Sequence, residues 1–150
     1  MARIIAYQQA TPATDDLLLG TQKTTSGTNK TNPTKNFTVD SVVQAGLGYT
    51  AYTALVTQTG TDAPVATILK NNTGYTYTWA RVGSGEYTIT ASGNAFTANK
   101  TIVFVNCGNT NFNAPVATWE RLSDTQIQIG QPPLGDGQFV DGAFEIRIYS

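Results

Sequence analysis

The pattern of apolar residues changes near residue 46, and no single packing plan fits both sides of that point. Before it lie two apolar patches, Leu17–Leu19 and Val39–Val43, separated by TQKTTSGTNKTNPTKN, which is almost wholly polar. After it come eight short runs rich in Val, Ile, Thr and Tyr, broken by Gly, Asn, Asp and Pro. The second pattern specifies a compact β domain. The first specifies an arm with two apolar anchor points, because residues 21–36 hold too little apolar surface to offset the entropy of ordering them. The expected division is therefore an attachment arm over 1–48 and a β-sandwich head over 49–150.

The strand candidates are Tyr49–Thr57, Pro64–Lys70, Tyr75–Val82, Glu86–Ala91, Lys100–Asn106, Pro115–Arg121, Thr125–Ile129 and Ala143–Tyr149. Alternation is clear in three of them. Tyr75, Tyr77 and Trp79 share a face, as do Ile127 with Ile129 and Phe144 with Ile146 and Ile148, each set opposed by polar residues. Period two with one polar face marks antiparallel strands packed on one side. Eight such strands predict an all-β, antiparallel, jelly-roll-like sandwich, with a small barrel or a seven-strand sandwich as the alternative. One short helix is expected over 38–45. Thr38 caps it, Phe37 and Val42 have hydrophobic-staple spacing, and Gly46 and Gly48 stop it.

Composition narrows the function. Charged residues make up 13% of the chain, about half the usual share, and Thr, with 25 copies, takes their place. The surface is thus neutral and hydrogen-bonding. The net charge is −1 and no basic patch is present, so nucleic acid is not an expected partner. The chain has no His, which removes the commonest catalytic base, the commonest zinc ligand and every Ser-His-Asp arrangement. No catalytic, cofactor or metal residue is assigned, and the chain is not expected to be an enzyme. The loop carrying Asp136 and Asp141 could hold Ca²⁺ with Asp124, but a Gly-Asp turn before the last strand is the simpler reading. Cys107 is the single cysteine and reads as a small residue at a strand end. No run approaches the ~20 apolar residues of a membrane span. Ile4–Tyr7 is too short for a secretory signal core, so synthesis in a cytoplasm is expected.

Two residue sets are candidates for contact. Leu17, Leu18, Leu19, Phe37, Val39, Val42 and Val43 are the attachment set. Tyr75, Tyr77, Trp79, Tyr87 and Trp119 would form either a sugar-stacking platform or, as aromatic rows on strands more often do, a core or subunit interface.

The stretches DDLLLGT and NPTKNFTVDSVV, with the polar run between them, resemble the N-terminal module of many bacteriophage virion proteins. YTALVTQTGTDAPVATILKN is similar to a domain of structural proteins from tailed and other phages; together the matches span roughly residues 15–75. The resemblance implies a fibre, spike or decoration protein located in the virion, often a homotrimer with a C-terminal β head. The implied partners are further copies of itself, other virion proteins of the capsid, vertex or tail, and a host surface glycan. A carbohydrate-binding or host-receptor recognition module is the alternative.

Overall fold

A computed structural model describes residues 11–22, 34–108, 117–130 and 135–150. The chain divides into two compact units, Met1–Leu47 and Gly48–Ser150.

In the first unit, β1 (Leu17–Thr21) pairs antiparallel with β2 (Thr34–Thr38), from Leu17 opposite Thr38 to Thr21 opposite Thr34. The polar span expected between the two apolar anchors thus belongs at both its ends to a ladder, and residues 23–33 lie outside the described residues. Backbone hydrogen bonds form the ladder, so Thr and Lys serve in it as well as apolar side chains do. The Phe37 ring lies across Gly20, where an added Cβ would stand 3.1 Å from its Cε2. The ladder runs directly into α1 (Val39–Leu47). The Thr38 hydroxyl oxygen accepts the Ser41 amide at 3.1 Å, as expected of its cap. The helix runs through Gly46 and ends at Gly48, whose φ of +69° supplies the left-handed residue of a C-terminal stop.

The second unit is a sandwich of two four-stranded antiparallel sheets. Its strands are β3 (Tyr49–Thr57), β4 (Val65–Asn71), β5 (Tyr77–Gly83), β6 (Glu86–Ala91), β7 (Thr101–Val105), β8 (Thr118–Arg121), β9 (Gln126–Gly130) and β10 (Gly142–Tyr149). Every predicted strand is present, with ends displaced by three residues at most. One sheet has the order β4-β3-β10-β7 and the other β5-β6-β9-β8. Three connections are hairpins within a sheet, and the other four cross between sheets. The last strand is internal, pairing β3 on one side and β7 on the other.

Alternating residues from both sheets meet between them. Tyr52, Ala54, Val56, Val103, Phe144 and Ile146 come from one side, and Trp79, Tyr87, Ile89, Ala91, Ile127 and Ile129 from the other. Two further aromatic side chains enter from loops: Phe96, between β6 and β7, and Phe139, between β9 and β10. Phe139 meets Tyr87 with ring centres 5.3 Å apart and Trp79 at 6.3 Å, both edge to face. Its loop is tied down on both flanks. The Gln58 amide donates to the Phe139 carbonyl at 2.9 Å, and the Val140 amide donates to the Cys107 carbonyl at 2.9 Å. Arg81 closes a fork onto Asp136 with two 2.8 Å bonds.

Candidate functional site

The two units present different surfaces. In the first, β1 and the start of α1 leave their apolar side chains uncovered. Leu17 is 64% exposed, Leu19 77% and Val43 50%; Leu18, Val42 and Leu47 are exposed as well. Phe37 and Val39 are half-buried. No described residue of this unit is buried, so among the described residues the attachment set surrounds no core. A groove of about 530 Å³ runs between β1 and α1, lined by Pro12, Leu17, Leu18, Val39, Val42 and Val43, with Asp16 at its edge. Its ends are held by backbone bonds: Val39 N–H to the Asp16 carbonyl at 2.9 Å and Asp40 N–H to the Thr14 carbonyl at 3.0 Å.

Charge near this groove is one-sided. Asp15, Asp16 and Asp40 gather where β1 begins and α1 starts. Lys35 is the single cation among the described residues of the unit. It lies opposite Gly20, three ladder positions or about 10 Å from Leu17. The N-terminus of α1 offsets about half a charge.

The aromatic set separates into different places. Trp79 and Tyr87 are buried, which corrects any assignment of them to a receptor platform. The alternation that put Trp79 on one face put that face inward, against Phe144 at 4.9 Å. The Tyr87 hydroxyl donates to the Gln58 side-chain carbonyl, buried, at 3.1 Å, and the Gly137 amide donates to that same oxygen. Burial pushes the Tyr52, Tyr77 and Tyr87 phenols up from their ordinary value. Tyr77 packs on Tyr52 at 4.5 Å and donates to the Thr73 hydroxyl at 2.8 Å. Tyr75 and Trp119 are half-buried against the same core. The structure brings all five to one sandwich interior and its margins, the arrangement that aromatic rows on strands most often have.

Sequence reasoning missed the outer face of the β4-β3-β10-β7 sheet. Leu55, Leu69, Phe104 and Ala143 line a shallow groove of about 270 Å³ there, beside Thr53 and Glu145. The Arg147 guanidinium sits 4.9 Å from both the Tyr49 and Phe104 rings and bonds to Glu145. Leu69 is the extra residue of a bulge opposite Thr53 and Ala54, which turns it onto the surface. The signal was the unbroken apolar run Ile102–Val105, since a strand apolar on both faces has two faces to cover.

The acidic loop residues do not converge. The Asp136 carboxylate is taken up by Arg81 and the Gly85 amide, and Asp124 pairs with Arg121. The Arg81 bond holds the Asp136 carboxyl below its ordinary range. Among the described residues no three His, Cys, Asp or Glu side chains lie together as metal ligands. No described helix is long and apolar enough to cross a membrane. No family model, no curated protein and no solved structure matches this chain.

Proposed function

We propose that this chain is a structural protein of a bacteriophage virion, with its first unit docking onto the particle and its sandwich displayed as a short spike, fibre or decoration. The observation that carries the docking role is the uncovered apolar surface of residues 17–47. Covering a fully exposed Leu or Val is worth roughly 1.5–3 kcal/mol. Six Leu and Val side chains here are 39–77% exposed, each offering a share of that gain, and together they amount to a binding surface. A hairpin of two strands is marginal alone. A partner that covers it supplies the missing layer. The virion assignment rests on the resemblance of DDLLLGT and NPTKNFTVDSVV to phage attachment modules, which also implies a homotrimer. The aromatic core supports display rather than sugar capture, because Trp79 and Tyr87 are out of reach of a glycan.

The test is incorporation. Particles purified from infected cells should contain the full-length chain at a fixed copy number by quantitative mass spectrometry. The Leu17→Asp/Val42→Asp double variant should be lost from particles while its sandwich still melts as in the parent. Absence of the parent chain from particles refutes the proposal, and undiminished incorporation of the double variant refutes the docking role of this surface.

A further inference from the structure

We propose that the outer face of the β4-β3-β10-β7 sheet packs against the same face of a second copy of this chain, about a twofold axis that crosses β10 at Ile146. The pairing concerns the sandwich alone, so it rests neither on the virion reading nor on the docking surface of the first unit.

The sandwich has two unlike outer faces. On the β5-β6-β9-β8 sheet Thr78, Thr90, Gln126 and Gln128 point outward, and the Gln126 side-chain amide donates to the Thr90 hydroxyl at 3.1 Å. That face bonds to water and to itself. On the other sheet Leu55, Ile102, Phe104 and Tyr149 point outward around Glu145 and Arg147 of the internal strand. Its centre is an Arg held between the Tyr49 and Phe104 rings, and Arg with aromatic residues is the composition of interface centres. The sheet is four strands wide, about 19 Å, and β10 is eight residues long, about 27 Å. The resulting plan area of roughly 500 Å² on each copy gives about 1,000 Å² for a pair, which reaches the lower bound for a specific interface.

Charge and shape both make this face complementary to itself. Glu145 and Arg147 flank Ile146 on the outer side of one strand. A twofold axis at Ile146, lying between the two sheets and perpendicular to β10, sets the Arg147 of each copy over the Glu145 of the other. Within one copy Arg147 bonds to Glu145 through Nε, and a guanidinium with five donors can serve a second carboxylate. The relief follows the same axis. Tyr49 and Tyr149 are ladder partners with ring centres 5.3 Å apart, and they form a ridge at one end of the face. The groove of about 270 Å³ lined by Leu55, Phe104 and Ala143 lies toward the other end. Tyr149 and Ala143 are each three residues from Ile146. The axis that pairs the charges therefore also drops the ridge of one copy into the groove of the other. Sheets facing in this way lie about 10 Å apart with strands within about 30° of alignment. A twofold interface requires such self-matching, whereas a foreign partner would have to reproduce both patterns independently.

The test is sedimentation equilibrium of the full-length chain carrying Leu17→Asp/Val42→Asp, so that the first unit does not drive association. This chain should be a dimer at about 100 µM, above the micromolar range expected of a small interface. Glu145→Arg alone or Arg147→Glu alone sets like charges face to face and should weaken dimerisation at least tenfold. The two variants mixed, with different tags, should pair with each other, because each supplies the charge that the other has lost. A defect confined to one copy would not be repaired by mixing. Tyr149→Ala, which removes half of the ridge, should weaken the dimer roughly tenfold. Val82→Arg, exposed on the other sheet, should leave it unchanged. Thermal melts check that each variant keeps its sandwich. A monomer or a trimer in the starting chain overturns the proposal. So do single charge variants that dimerise as the starting chain does, or a mixture that stays unpaired.

Discussion

Phe139→Ala is the sharpest test of the sandwich, because it asks whether the loop before β10 is a structural plug or a mere connection. The side chain is 2% exposed and stands edge to face with Trp79 and Tyr87. It also faces Gly142, where a Cβ would lie 2.8 Å from its Cδ1. Its neighbours come from β5, β6 and β10, so the site cannot collapse without moving both sheets. Emptying such a site costs about 3–5 kcal/mol. Against a total stability of roughly 5–15 kcal/mol, that is a large share. For a unit of this size the midpoint temperature should fall by roughly 15–25 °C. Urea unfolding followed by tryptophan fluorescence is the assay. Both tryptophans lie in the sandwich, so the signal reads that unit. A loss below about 1 kcal/mol with an unchanged denaturant slope would refute the reasoning, since it would mean that Phe139 fills no essential space.

Three further outcomes are expected. Asp136→Asn should cost stability at neutral pH and flatten the acid limb of the stability curve. The folded carboxyl lies below its unfolded value of about 3.9, so its contribution is complete above that pH and is lost as pH falls through the folded value; parallel curves for parent and variant below pH 5 would contradict this. Gly108→Ala should destabilise far more than Gly74→Ala in thermal melts. Both glycines have positive φ, but at Gly108 a Cβ also meets the Asp141 carbonyl oxygen at 2.7 Å, whereas at Gly74 nothing stands within 4 Å, and equal effects would sink the distinction. Cys107 should react with a thiol reagent far more slowly in the folded chain than in urea, because burial both shields it and raises its pKa; equal rates would show that the β7 end is open.

Much of the sandwich was legible because its strands are half-buried. Ile127 and Ile129 against Gln126 and Gln128 define a face, and the turn residues between runs define the ends. What alternation cannot say is which face belongs to whom. The row Tyr75, Tyr77 and Trp79 reads alike as a core row or an exposed platform until the facing sheet is known. The β1–β2 ladder left little side-chain trace because backbone groups make it, with Phe37 over Gly20 adding a contact. The Arg81–Asp136 fork and the Gln58–Tyr87–Gly137 cluster join residues far apart in sequence, beyond the reach of any local pattern. The attachment set was visible as apolar patches in polar surroundings. Its groove was not, because a groove requires knowing that β1 and α1 lie side by side.

The internal position of β10 has a consequence for biosynthesis. A ribosome delivers β3 and β7 long before the strand that must lie between them. Until then both carry an unpaired edge, and apolar residues such as Tyr52 and Val103 lack their final cover. Topologies so rich in distant pairings fold slowly, on the scale of milliseconds to seconds. The nascent chain therefore passes through a stage in which its most association-prone edges are open while sibling chains emerge nearby. Its low charge offers little repulsion at that stage. Commitment to the sandwich is a late event, made when β10 arrives.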